Sequence, residues 1–142
     1  MKKVNIAVIG CGRIGQMHAK NVQLHEKTNL ACIYDPNDEF AKKISIDLGI
    51  QAVKNVDEIF NNDEIDAVLI SSPTNTHIDF IEKSVAAKKP VFCEKPIDLD
   101  IHKVNECSKR LEGNTIPIQL GFNRRFDPGH LAAKKSLTNG EI

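Results

Sequence analysis

The chain has no net charge: 19 Lys and Arg balance 19 Asp and Glu over 142 residues. Without a basic excess there is no electrostatic case for nucleic acid or an anionic membrane surface as partner. Long apolar runs are missing too, and none approaches the roughly 20 residues of a membrane span. Met1-Lys2-Lys3-Val4-Asn5-Ile6 puts charge ahead of an apolar stretch. That stretch lasts about seven residues, ends at Gly10 and has no cleavage-type continuation, so it reads as a strand and not as a leader. Cysteine is scarce: Cys11, Cys32, Cys93 and Cys107 form no C-x-x-C and no histidine-paired spacing, so no metal site is expected. Three of them lie in or beside apolar runs, where buried reduced thiols are expected. Repeats, low-complexity tracts and long linkers are absent. These absences predict one well-buried, cytoplasmic, soluble domain, too short to be two ordinary ones.

What is present is a regular alternation. Mostly continuous Val/Ile/Leu runs predict strands at 4–9, 29–34, 50–53, 66–71, 90–93 and 116–121, as in a parallel sheet covered on both faces. Helical patterns fill 13–24, 37–48, 56–61, 75–87, 99–112 and 127–137. Ile78, Ile81 and Val85 share one stripe, Thr76 and Asp79 have capping-box spacing, and Gly49 and Gly113 fit helix C-caps. The fold class is therefore α/β, a doubly wound parallel sheet, in which ligands bind at the carboxyl ends of the strands.

The first strand runs into Gly10-Cys11-Gly12-Arg13-Ile14-Gly15, and Asp35 ends the second strand 20 residues after the last glycine. A G-x-G-x-x-G in this context, answered by an acid at this distance, is the dinucleotide fingerprint of a Rossmann fold. Gly10 allows the turn, Gly12 lets backbone approach a pyrophosphate, and Gly15 lets the helix press on the sheet. The N–H groups near Arg13 and Ile14 would face the phosphates. Asp35 would accept from both ribose hydroxyls and repel a 2′-phosphate; with Pro36 and Asn37 following and no arginine, NAD is favoured over NADP.

Other polar groups also follow strands. Ser71-Ser72-Pro73-Thr74-Asn75-Thr76-His77 follows the fourth, Glu94-Lys95-Pro96 the fifth and Asn123-Arg124-Arg125 the sixth. Their position at the cofactor edge makes Ser72, Thr74, Asn75, His77 and Glu94 candidate cofactor contacts. His77 stands at a helix start, where a hydrogen bond to a neighbour is the plainer role. His18, one turn after Ile14, reads as packing or cofactor-side structure. Lys95, between an acid and a stiff proline at a cleft edge, could stabilise negative charge developing on a substrate oxygen. Arg124 and Arg125 would point to opposite faces if the strand reached them.

Together these motifs, and the stretches Cys93-Glu94-Lys95-Pro96 and Gly121-Phe122-Asn123-Arg124-Arg125-Phe126-Asp127 above all, resemble the glucose–fructose oxidoreductase/inositol dehydrogenase (Gfo/Idh/MocA) family. The resemblance spans nearly the whole chain. It implies an NAD-binding domain over 1–122 and, over 123–142, a segment leading to a second α+β domain that lies beyond Ile142. It implies hydride transfer from a cyclic polyol, myo-inositol foremost, to NAD, with Lys95 on the reacting oxygen and Arg124 on the substrate. Another sugar or sugar acid is the alternative substrate, and a non-catalytic NAD(H)-binding module the alternative class. In the family the base is a histidine paired with an aspartate in the second domain, which also carries the homo-oligomer interface. Loss of a general base costs about 10²–10⁴ in rate, so these 142 residues are expected to bind NAD without turnover. The resemblance further implies a cis Lys95–Pro96 bond, for which X–Pro is the cheapest setting, at about 0.5–1 kcal/mol.

Overall fold

A computed structural model describes residues 2–142. The described residues form a parallel sheet of five strands, β1 (Val4–Ile9), β2 (Thr28–Tyr34), β3 (Ala67–Ile70), β4 (Val91–Cys93) and β5 (Ile118–Leu120), in the order β2-β1-β3-β4-β5. The helices are α1 (Arg13–Leu24), α2 (Asp38–Leu48), α3 (Asp57–Phe60), α4 (His77–Ala86), α5 (Ile101–Arg110) and α6 (Pro128–Thr138).

Side chains alternate across the strands, and the core accordingly falls into two layers. Val8, Leu30, Ile33 and Leu69 pack with Ala19 and Val22 of α1 and Ala41 and Ile44 of α2. Ala7, Ile9, Val68, Ile70, Val91 and Cys93 pack with Ile59 and Phe60 of α3 and Phe80 and Ile81 of α4. All four cysteines are free and buried. Burial, with Asp35 nearby, pushes the Cys11 thiol up to about 12; burial likewise raises Cys32 to about 11 and Cys93 to about 12. They are packing groups and poor nucleophiles at neutral pH.

Local chemistry sets the element ends. Asn37 accepts from the Glu39 and Phe40 N–H groups at the start of α2, and Gly49 closes that helix with φ +63°. Asp100 caps α5 by accepting from the His102 N–H at 2.8 Å. Pro90 and Pro117 lack an N–H, so β4 and β5 begin one residue after each. Both prolines still extend the ladder through their carbonyls, which accept from Val68 and Val91.

Several expectations change, among them Gly113 as a cap, since the C-cap of α5 is Leu111. Residues 50–53 do not form a strand: Ile33 and Ala52 make an isolated parallel bridge through Ile33 N–H to Gln51 O and Val53 N–H to Ile33 O. Beyond Val53 the chain turns at once, its Lys54 and Asn55 N–H groups taken by Glu58. The helix expected over 75–87 is a 3₁₀ turn at Thr74–Thr76 followed by α4, and Thr76 makes no capping box, because its hydroxyl donates to Pro73 O. Residues Asn123–Phe126 form a 3₁₀ turn and not a strand end, so both Arg124 and Arg125 are exposed. No helix among the described residues is long and apolar enough to cross a membrane.

Ile81 is 2 % exposed in the α4 layer, whereas Ile46 on α2 is 71 % exposed. Ile81→Ala is expected to cost about 2–5 kcal/mol through lost transfer energy and a residual cavity, and Ile46→Ala to stay within about 0.5 kcal/mol. Urea-denaturation midpoints of the two variants check the contrast.

Candidate active site

From β1 the chain passes to β2 on one side, while β3 pairs on the other, so the strand order reverses between β1 and β3. That reversal opens a crevice above the carboxyl ends of the two strands. There the glycine turn meets the β3 loop at van der Waals limits. A Cβ on Gly10, whose φ is +97°, would lie 2.4 Å from Ser72 N; one on Gly15 would lie 1.8 Å from Gly10 O. Neither position has room for a side chain. Gly12 differs, because a Cβ there would meet nothing within 4 Å. It is also the N-cap of α1 and offers no side-chain cap, which leaves the first-turn N–H groups at Arg13 and Ile14 to an external acceptor. Open space over uncapped helix N–H groups fits a dinucleotide pyrophosphate.

Asp35, one residue beyond β2, ties the turn down. Its Oδ2 accepts from the Cys11 N–H at 2.7 Å and its Oδ1 from the Asn37 N–H at 2.8 Å. Each oxygen retains a further lone pair, so the carboxylate stays able to accept from a ribose hydroxyl at the rim of the crevice.

On the β3 side Ser71 Oγ donates to Gly10 O at 3.0 Å, linking the two loops. Ser72 Oγ and Thr76 Oγ1 lie 2.7 Å apart, which folds the 72–76 loop on itself and leaves Asn75 exposed and Thr74 half-buried. The His77 ring does not face the crevice. It is 1 % exposed, with Nδ1 2.7 Å from Pro96 O and Nε2 2.9 Å from Ser72 O. Direct cofactor contact by this ring is thereby corrected to an internal bridge between two loops. The helix-start position favoured that plainer role, but the identity of the partners depends on the fold.

Beyond β4, Glu94 is half-buried with Oε1 2.8 Å from His18 Nε2, and its Oε2 accepts from the Lys95 N–H at 3.3 Å. His18 stacks edge-on against Phe92, ring centroids 5.4 Å apart. Gly121, after β5, makes room for this carboxylate, since a Cβ there would lie 3.1 Å from Glu94 Oε2. The sequence reading missed the His18–Glu94 pair and the role of Gly121; a glycine closing an apolar run was the available signal for the latter. Lys95 is exposed, its Nζ has no partner among the described residues, and the Lys95–Pro96 peptide is cis. Lys95 lines one open cavity with Phe122, Asn123, Arg124 and Arg125, so Lys95 and Arg124 border the same space. Arg124 also reaches Asp127, at 3.3 Å. No cluster of three or more His, Cys, Asp or Glu that could hold a metal occurs among the described residues.

Residues 4–122 match the profile of the Gfo/Idh/MocA oxidoreductase family, described as an NAD-binding Rossmann fold. The chain is 40 % identical over 139 residues to an inositol 2-dehydrogenase of Rhizobium meliloti, covering 98 % of this chain and 42 % of that protein. It is 37 % identical over 142 residues to the scyllo-inositol 2-dehydrogenase (NAD(+)) of Bacillus subtilis, at 99 % and 42 % coverage. The scyllo-inositol dehydrogenase of Lactobacillus casei, solved with bound NAD(H) and scyllo-inositol, superposes with a TM-score of 0.90 at 33 % identity, again over 99 % of this chain and 42 % of that one. The chain thus spans less than half the length of these relatives. With its glycine turn, switch-point crevice and sheet order in agreement with that match, this chain belongs to the Gfo/Idh/MocA oxidoreductase family and is built as its NAD-binding Rossmann domain.

Proposed function

We propose that this chain is the cofactor-binding half of an NAD-dependent dehydrogenase that oxidises a ring hydroxyl of a cyclic polyol, with an inositol as the substrate of choice. The observation that carries the reading is the open, uncapped start of α1 above Gly12, bordered by Asp35 on one side and the 72–76 loop on the other. Relatives named as inositol dehydrogenases over nearly the whole chain support the substrate class. The four buried thiols suit a reducing, cytoplasmic setting.

In this reading the Arg13 and Ile14 N–H groups hold the pyrophosphate and Asp35 the adenosine ribose. Ser72, Thr74 and Asn75 line the remaining path toward Lys95. NAD, when bound, supplies the two-electron acceptor. Lys95 donates a hydrogen bond to the reacting hydroxyl oxygen, and its charge stabilises that oxygen as negative charge develops. Arg124, across the same cavity, orients the ring by hydrogen bonds to other hydroxyls. The proton must leave to a base, and the His77 ring, buried between two carbonyls, is poorly placed to take it. The family resemblance implies that the base is a histidine paired with an aspartate in a second domain. The 142-residue chain alone is expected to bind NAD and not to turn over.

Gly12→Ala is expected to leave the urea midpoint unchanged while weakening NAD binding at least tenfold, about 1.4 kcal/mol. Gly15→Ala, aimed at Gly10 O, should instead cost about 1–3 kcal/mol of stability. Calorimetric titration beside denaturation separates the two, and unchanged NAD affinity in Gly12→Ala would remove the pyrophosphate from this turn.

The unaltered chain should bind NAD(H) more tightly than NADP(H). Asp35→Asn, which keeps an acceptor for backbone N–H but drops the charge, should narrow the gap; equal affinities in the unaltered chain would refute the role of Asp35.

Fusing these residues to the remaining length of the Rhizobium meliloti relative tests the chemistry. NADH formation from myo-inositol should occur in the fusion and not in the chain alone, and Lys95→Ala in the fusion should lower kcat by about 10²–10³-fold with little change in NAD affinity. Turnover by the chain alone, or full activity in Lys95→Ala, would overturn the assignment.

A further inference from the structure

Lys95 sits in an exposed turn, and each flank of that turn is gripped by a histidine from a different helix. On the N-terminal side Glu94 is bound by His18 of α1, Nε2 to Oε1 at 2.8 Å. On the C-terminal side the Pro96 carbonyl is bound by His77 of α4, Nδ1 to O at 2.7 Å. The same His77 ring reaches back to Ser72 O at 2.9 Å. Both helices begin at loops of the crevice: α1 leaves the glycine turn, and α4 leaves the 72–76 loop. We propose that His18 and His77 are positioning residues, a two-sided clamp that fixes the Lys95 turn relative to the two loops bordering the cofactor crevice. This inference rests on the role proposed above for Lys95, and it adds two side chains that act through the turn without touching substrate.

Burial and chemistry support it. His77 is 1 % exposed, so an unpartnered polar ring there would be costly, and its two polar contacts are both backbone carbonyls. Carbonyls accept and do not donate, so making both bonds at once takes a proton on each ring nitrogen; with a single proton the ring donates to one of the two. His18 is wedged against Phe92 of β4, and its partner Glu94 also accepts from the Lys95 N–H, so the grip on the carboxylate passes to the lysine backbone through one atom group. The Lys95 ammonium itself has no partner among the described residues, so its placement depends on the backbone beneath it. A displacement of about 1 Å at a reacting group can cost about 10²-fold in rate, which is the scale on which such a clamp matters.

The test uses paired amide replacements. The Asn side-chain NH₂ falls near the position of a histidine Nδ1, and that of Gln near Nε2. His77→Asn keeps a donor for Pro96 O, whereas His77→Gln keeps one for Ser72 O; His18→Gln keeps a donor for Glu94, and His18→Asn does not. Backbone ¹⁵N relaxation in the 142-residue chain reads the Lys95 and Ile97 amides. Order parameters there are expected near about 0.85 in the unaltered chain, in His77→Asn and in His18→Gln, and below about 0.6 in His77→Gln and His18→Asn, with the strands unchanged in all. A general loss of stability would act on both members of each pair alike and would not reproduce this crossed pattern. Lys95 and Ile97 amides as ordered in His77→Gln and His18→Asn as in the unaltered chain would overturn the clamp. The His18 pair reads the same turn from the half-buried side, so the outcome does not depend on the buried site tolerating Gln. NAD titration of the same samples separates the two readings: failure of the unaltered chain to bind NAD refutes the cofactor assignment and leaves the clamp result standing.

Discussion

The organisation of this domain depends on one steric constraint, the contact of backbone with backbone where β1 and β3 end. Gly15 presses on the Gly10 carbonyl, and Gly10 presses on the Ser71–Ser72 peptide, each at a distance that excludes a side chain. Because α1 can approach that closely, its free N–H groups arrive at the crevice and not above it. The Ser71 hydroxyl then donates to Gly10 O and joins the two loops. A methyl group at either glycine would separate the helix start from the strand ends, and every polar group arranged around the crevice would shift with it.

Around this contact, polar side chains mostly serve backbone. Asp35 accepts from Cys11 and Asn37, His77 bridges Ser72 and Pro96, and Ser71 holds Gly10. Loops at strand ends cannot satisfy their N–H and C=O groups through the sheet, and buried polar groups need partners. No buried side-chain nitrogen or oxygen among the described residues lacks one. In the function proposed here, the first-turn N–H groups of α1 and the Lys95 ammonium, which have no protein partner among the described residues, stand on a framework whose neighbouring groups are already engaged, as preorganised binding requires.

Much of the fold was legible because its signals are local. Apolar runs and helical periodicity marked β1, β2, β3 and each of the helices, with α1 matching residue for residue. The weakest segments were misread where a local pattern lacked a tertiary partner. Residues 50–53 carry strand-like composition, but they meet β2 at Ile33 alone before the chain turns at Lys54. Thr76 had the spacing of a cap, yet the Pro73 carbonyl and the Ser72 hydroxyl captured its side chain first.

The sequence by itself determined the class of site: a glycine turn after a buried strand, an acid at the end of the next, and a lysine held beside a proline each imply their chemistry through steric freedom or charge, which are properties of single residues. Which groups face the crevice and which are turned inward was decided by tertiary structure. His77 and Glu94 follow strands just as Lys95 does, but the His77 ring is buried against Pro96 and Ser72, and the half-buried Glu94 carboxylate pairs with His18, 76 residues away in the chain. Hydrogen-bond partners that distant leave no periodic trace along the chain, because they are set by the packing of α1 and α4 on opposite faces of the sheet.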